Sequence, residues 1–283
     1  MNIYQNWELG KTYCSKDTKN SGTVSFGIVS KSITKEMMIK EHYSKTFASY
    51  FGKVNIGIFK NEKLMGVASF GTLMNSHSFK KLIDTDDFDA VLELNRLWIS
   101  DDLGKNSETI LLAVAMKYLK HSHPEVKVIQ SFADGRLGCG TIYKAANFKY
   151  YGFHTTKFLE LTDGTVQHKI LFENTRSATK FLQLNTAFLK NQAKFFEVKT
   201  YRYIYILDKR TKVLLKEKPY PIYEKGSKYI EHIPSCNQIH KVRYLLAKKN
   251  ESTNFVDEYL EKTYTKEQNI ASNLNVIRYF NEH

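Results

Sequence analysis

Three consecutive stretches constrain the fold most: "VLELNRLWIS" (91–100), "SETILLAVAMKYLK" (107–120) and "VKVIQSFA" (126–133). The first and third are short, apolar and rich in branched residues, which predicts strands. The second is apolar almost all round until Lys117, which predicts a helix packed against a sheet. Strand, helix and strand in this order make a right-handed crossover whose two strands are parallel neighbours. Ligands bind where such strands splay at their carboxyl ends. The third strand runs into "SFADGRLGCGTIYKAANFKYYG" (131–152), in which Asp134 stands where the strand should stop and Gly135, Gly138 and Gly140 follow. The glycines suit a phosphate-binding loop or a tight turn against the sheet. Asp134 suits either a helix N-cap or a chemical group at the strand end.

Around this crossover the chain reads as mixed α/β. "TVSFGIVS" (23–30) is a strand, and Thr34–Phe47 has helical spacing with Thr34 as candidate N-cap. "KVNIGIFK" and "KLMGVASFG" flank Asn61-Glu62 as a hairpin, and a polar, helix-like stretch runs from Phe79 to Phe88. Plain alternation along 91–100 sets Glu93, Asn95 and Leu97 on one face and Leu94, Arg96 and Trp98 on the other. Beyond Gly152, "HTTKFLELTDGTVQHKILF" predicts a hairpin turning at Asp163-Gly164, Thr175–Gln192 a helix, and "FFEVKTYRYIYILDKR" an aromatic strand. The tail after Lys225 ends in helical patterns, so residues 1–224 read as a catalytic domain and 225–283 as a basic, helical extension.

Charge then narrows the partners. Lys and Arg number 42 against 29 Asp and Glu, a net of +13. Within 194–249 the balance is 14 to 5, a net of +9, and the chain as a whole carries 18 Tyr and 18 Phe. Cations interleaved with aromatics suit a nucleic acid, and Lys209, Arg210, Lys212 and Lys216 are the candidate DNA contacts. Three scattered cysteines signal neither a disulfide framework nor a cysteine zinc site. With no secretory pattern and no run of about 18 apolar residues, the chain reads as soluble and cytoplasmic.

The loop "DDLGKNSE" (101–108) delivers a helix N-terminus to the first strand end. Unpaired N–H groups there suit a phosphate, with Gly104, Lys105, Asn106 and Ser107 as the candidate cofactor-binding residues, or an ordinary cap on Asn106 or Ser107. The order of these elements, ending in "YKAANFKYYG", resembles the GNAT acyltransferase superfamily. That resemblance implies coenzyme A on this helix end, although its Arg/Gln-x-x-Gly-x-Gly/Ala loop keeps only one glycine here.

A closer resemblance is to the phage Mom family of DNA-modification proteins, itself GNAT-like. It is carried by "EHYSK" (41–45), "GVASFG" (66–71), "ELNRLWISDDLGKNSE" (93–108), the Asp134 stretch, "DGTVQHK" (163–169) and the aromatic strand with "KPYPIY" (218–223). The resemblance implies conversion of adenine in double-stranded DNA to its N6-carbamoylmethyl form, which hides phage DNA from restriction in the cytoplasm of an infected or lysogenic host. It implies Asp134, His42, Tyr43, Glu93, Arg96 and Tyr143 as catalytic residues, with Ser131, Asn95, Trp98, Asn147 and Phe70 at the substrate. N6 is a poor nucleophile because its lone pair is delocalised into the ring. The site must therefore accept an N–H hydrogen bond and grip an extruded base between flat side chains. Tyr43, Phe70, Trp98 and Tyr143 are the aromatic candidates.

The small-molecule group donor stays open. Attack of N6 on a thioester gives an amide, whereas the product has CH2 on nitrogen. Either the donor is not acetyl-coenzyme A but another acyl or glycyl donor, or later steps convert the group, with iron as a candidate redox metal and His42 as a candidate ligand. The alternatives to a DNA-modifying enzyme are an acetyl-coenzyme A-dependent N-acyltransferase on a small-molecule or protein amine, and a non-catalytic DNA-binding protein.

Overall fold

The computed structural model describes residues 4, 6–19, 21–169, 177–224 and 228–282. The chain forms two compact units, Met1–His154 with Thr200–Lys225, and Thr155–Lys199 with Gly226–His283.

The first unit is built on a sheet. Strand β1 (Thr12–Thr18) pairs antiparallel with β2 (Gly22–Ile28), and helix α1 (Lys31–Glu41) leads to the hairpin of β3 (Val54–Lys60) and β4 (Lys63–Gly71). Asn61 and Glu62 form its two-residue turn, both at positive φ. Next come β5 (Val91–Ile99), α2 (Ser107–Ser122), β6 (Val128–Asp134) and the short α3 (Thr141–Ala145). The crossover is as expected: β5 and β6 are parallel neighbours. Strand β7 (Lys149–Glu160) begins in this unit, and β9 (Lys194–Ile206) ends in it, antiparallel to β6. Strand order β1-β2-β3-β4-β5-β6-β9-β7, with β5 and β6 parallel at the crossover, makes a mixed sheet, as the α/β reading expects.

Some local expectations are corrected. Ser30, not Thr34, caps α1, its hydroxyl accepting the Ile33 N–H; Thr34 lies inside the helix and donates to the Ser30 carbonyl. The stretch from Phe79 to Phe88 is no regular helix, only 3-10 turns at Ser76–Lys81 and Phe88–Ala90. β1 was not legible, since its sequence "TYCSKDT" is polar and exposed.

In the second unit, β7 ends and turns at Asp163-Gly164 into β8 (Val166–His168). Residues 170–172 of the expected hairpin lie outside the described residues. Helix α4 (Ala178–Leu189) packs Phe181, Leu182 and Leu189 against α5 (Cys236–Lys248) and α6 (Asn254–Thr263), and β9 starts here beside β10 (Lys228–Ile230). Phe280 of the last helix, α7 (Lys266–Glu282), stacks on Tyr244.

Candidate active site

The two faces of the first unit's sheet differ. One face meets α2 through Leu92, Leu94, Leu97, Ile129 and Ala133. On the other face lie two apolar patches, Val91, Val128 and Ile204 in one, and Val67, Val29, Met38 and Trp98 in the other. A strip of polar side chains crosses that face.

The strip exists because β5 is bulged. Ser69 of β4 pairs with Arg96, but Phe70 pairs with Leu94, so Asn95 is an extra residue on β5. A bulge shifts the alternation by one. Leu92 and Leu94 before it and Leu97 after it therefore share the α2 face, while Glu93 and Arg96 share the opposite one. Plain alternation had set Glu93 and Arg96 apart, and Leu97 with Glu93; the bulge overturns both. Gly71 permits the local packing, since a Cβ there would lie 2.3 Å from the Tyr50 carbonyl and 2.4 Å from Asn95 Oδ1.

The β5–β6 ladder stops at Glu93 and Gln130. Past it the Ser131 hydroxyl donates to the Leu94 carbonyl at 3.0 Å, and the strands part. At this fork, Asn95 Nδ2 donates to Glu93 Oε1 at 3.1 Å and Gln130 Nε2 to Oε2 at 3.2 Å. Burial nevertheless pushes the Glu93 carboxyl up, with Arg96 and Arg202 opposing that shift. Asn95 Oδ1 is buried and accepts no hydrogen bond.

Arg96 donates to the Thr46 carbonyl at 3.1 Å, the Thr46 hydroxyl at 2.8 Å and the Asn95 carbonyl at 2.7 Å, and its guanidinium lies 4.5 Å from the centre of the Phe51 ring. His42 caps the turn after α1. Its Nδ1 accepts the Ser44 backbone N–H at 3.1 Å, and the buried ring is held neutral, its pKa lowered to about 4 by burial, then by Arg96 and Lys45. Among the described residues no three His, Cys, Asp or Glu side chains gather as a metal site, and His42 spends its Nδ1 on Ser44.

Asp134 ends β6 on the same face as Gln130. Its Oδ1 accepts the Arg136 backbone N–H at 2.9 Å, and its carboxylate takes the Arg136 guanidinium through Nε at 3.0 Å and Nη2 at 2.5 Å. Asp134 is not a helix N-cap, a position that Gly140 holds before α3; its carboxylate closes the local turn and pairs with Arg136. Although Tyr43 is 54% exposed, desolvation around its hydroxyl, then Asp134 and Tyr143, push it up, with Arg96 and Arg136 opposing. Tyr143 stands on α3, its hydroxyl donating to the Phe132 carbonyl at 3.3 Å. Burial raises it, and both Glu93 and Arg96 act on it. The fork thus gathers Tyr43, Glu93, Arg96, Asp134 and Tyr143, with the His42 ring 4.3 Å from that of Tyr43 and tilted against it.

Other candidates have structural roles. Phe70 is wholly buried in the main core and has no face for a base. Trp98 packs in the patch with Met38 and Val67. Asn147 is the left-handed turn residue after α3. The Ser131 hydroxyl is spent on Leu94, and Gly140 abuts the Tyr203 ring at the start of α3. Three residues at the site carry no expectation from sequence: Gln130, Arg136 and Arg202. Gln130 and Arg202 are visible there as lone polar residues in apolar or aromatic strands. Arg202 lies 5.4 Å from the centre of the Phe132 ring, with its Nε buried and without a partner.

At the α2 N-terminus, Ile99, Ser100, Asp101, Gly104, Lys105, Asn106 and Glu108 line a concavity of about 470 Å³. Asn106 takes φ 70° with no side-chain cap, the left-handed geometry a second glycine would supply. The Ser107 hydroxyl turns back to the Leu103 and Gly104 carbonyls. Of the candidate DNA contacts, Arg210 is paired to Asp208, and with Lys209, Lys212 and Lys216 it follows the end of β9, at the start of β6. β6 has seven residues, so Lys209, just past its start, stands about 20 Å from Asp134 along the strand, and the chain then runs back to Lys218, whose N–H donates to the Tyr150 carbonyl.

Residues 23–222 match the model of the Mom protein family. The chain belongs to the Mom family. It is 34% identical over 190 residues to methylcarbamoylase mom of Escherichia phage Mu, covering 64% of this Mom-family chain and 76% of that protein. Among solved structures, Arabidopsis thaliana NAA60 with a bisubstrate analogue aligns over 65% of the chain and 98% of its own, at 12% identity and a TM-score of 0.41. The yncA acetyltransferase of Salmonella typhimurium with acetyl-CoA aligns over 66% and 95%, at 11% identity and a TM-score of 0.39.

Proposed function

We propose that this chain modifies adenine in double-stranded DNA to N6-(carbamoylmethyl)adenine, and that the polar fork between β5 and β6 does the chemistry. The observation that carries the reading is the extent of the Mom match, which spans every element supplying the fork.

Each group then has a task. Asp134, fixed by Arg136, accepts an N6–H bond from the extruded base and orients its nitrogen. Glu93, a buried carboxyl raised toward neutrality, takes the proton that N6 loses as its new bond forms. Tyr143 keeps its proton at neutral pH and is the donor to the departing group. Arg96, held by Thr46 and Phe51, balances charge that develops at the fork. His42 is neutral and positions Tyr43 rather than supplying charge.

The concavity at the α2 N-terminus suits the phosphates of a coenzyme A-type donor: the helix N–H groups carry no side-chain cap and Lys105 adds charge, while Asp101 and Glu108 oppose it. Attack of N6 on the thioester of such a donor would release the coenzyme A thiol and leave an amide on N6, so the carbamoylmethyl group requires a conversion after transfer. Among the described residues no helix is long and apolar enough to cross a membrane. The reaction takes place where the DNA is, in the cytoplasm of an infected or lysogenic host.

Restriction tests the reading. Plasmid DNA from expressing cells should resist endonucleases whose sites contain adenine, and Asp134→Asn should restore cleavage. Full cleavage with the wild-type chain would contradict it.

A further inference from the structure

Beside Asp134 the surface carries an aliphatic prong. Leu137, whose N–H donates to the Asp134 carbonyl at 2.9 Å, is 63% exposed, and Ile222 is 88% exposed. Scattered apolar residues on a surface need no explanation, but Ile222 is not on a slack loop. It lies in "KPYPIY" between Pro221 and Tyr223, and four bonds fasten that segment: Lys218 N–H to the Tyr150 carbonyl at 2.8 Å, Tyr220 hydroxyl to the Phe148 carbonyl at 2.7 Å, Cys139 Sγ to the Pro221 carbonyl at 3.6 Å, and Tyr223 hydroxyl to the Arg136 carbonyl at 3.4 Å. The two carbonyl contacts nearest Ile222 join it to the very loop that holds Asp134. One cation stands by the segment, Lys144, 5.1 Å from the centre of the Tyr220 ring, while the Arg136 guanidinium is paired with Asp134.

We propose that Ile222, supported by Leu137, is a wedge that enters the base stack of duplex DNA and fills the gap left by the adenine drawn to Asp134. The inference rests on the adenine-modification reading and adds how the duplex is opened. An extruded base leaves its neighbours unstacked, and a rigid aliphatic side chain inserted there stabilises the open duplex. Lys144 is placed to hold a flanking phosphate.

The test uses the full-length chain. Modified adenine is measured in plasmid DNA from cells making wild type, Ile222→Ala, Ile222→Leu or the Ile222→Ala, Leu137→Ala pair. A duplex of a sequence modified in those cells, with 2-aminopurine at the target adenine, then reports unstacking by fluorescence when each purified protein binds. The wedge requires a fluorescence rise with wild type, a modified-adenine level lower by about tenfold or more in Ile222→Ala, a matching loss of the rise, and recovery of both in Ile222→Leu. Wild-type levels in Ile222→Ala overturn the wedge alone. So does product loss with an unaltered fluorescence rise, the outcome expected if Ile222 meets a protein partner, and so does the absence of any rise with wild type. No modified adenine from the wild-type chain overturns the adenine reading, and the wedge with it. Ile222 buries almost nothing, so thermal melting of the variants should match wild type.

Discussion

Glu93 and Arg96 share one face of β5, three residues apart, because Asn95 is an extra residue between them. In a regular strand they would point to opposite sides of the sheet. The bulge is therefore what turns a core strand into one wall of a chemical site.

Glu93→Gln separates the charge from the hydrogen bonds. The amide keeps the size and can still accept from Asn95 or Gln130, but takes no proton. Modified adenine should fall by about 10² to 10⁴. The raised carboxyl is one whose charge opposes folding as pH rises above the usual carboxylate range, so melting at neutral pH should be unchanged or higher. A variant that melts earlier and keeps its product would remove Glu93 from the chemistry.

Gly71→Ala probes the backbone beneath the bulge. Its methyl would press on the Tyr50 carbonyl and Asn95 Oδ1, and the segment carrying Phe51 must move. Overpacking of this kind costs about 1–3 kcal/mol. Denaturant unfolding should show that loss, together with lower activity, because Phe51 is the platform of Arg96.

How much of this was legible follows from what each residue does. The crossover could be read because apolar runs of strand and helix length leave little choice, and the Asp163-Gly164 and Asn61-Glu62 turns because their residues tolerate left-handed geometry. The bulge could not, since one extra residue in a strand leaves the composition of "VLELNRLWIS" unchanged, and pairing with β4 alone reveals it. Phe70 and Trp98 were plausible as clamps for the same reason that they are core: aromatic residues serve both, and burial decides. Asn106 shows the reverse case, a departure from a glycine pattern that keeps the backbone geometry.

His42 gives a pH signature. Its folded pKa of about 4 lies below the ordinary value of 6.5, so the unfolded chain binds the extra proton first. Its contribution to stability is complete above about pH 6.5 and is lost as pH falls toward 4, roughly 3 kcal/mol across that window. Urea unfolding at several pH values should show a shallower acid loss in His42→Gln than in wild type; parallel curves would contradict the assignment.

Lys209 stands about 20 Å along β6 from Asp134, at the head of the segment that carries Lys212 and Lys216, so the bonds expected of these lysines are to flanking phosphates. Replacing all three with Gln should weaken duplex binding and reduce the slope of log affinity against log salt by about 1 for each phosphate that is no longer neutralised. An unchanged slope would move the DNA away from this segment.

The central claim is that the fork modifies adenine, with Asp134 holding the nitrogen. The measurement is mass spectrometry of nucleosides from the total DNA of cells making wild type or Asp134→Asn. Asn can keep the bond to the Arg136 N–H while losing the charge that pairs with its guanidinium, so the variant should fold. Wild type should yield deoxyadenosine carrying one carbamoylmethyl group and Asp134→Asn none; no modified deoxyadenosine from wild type, or equal amounts from both, would contradict the account.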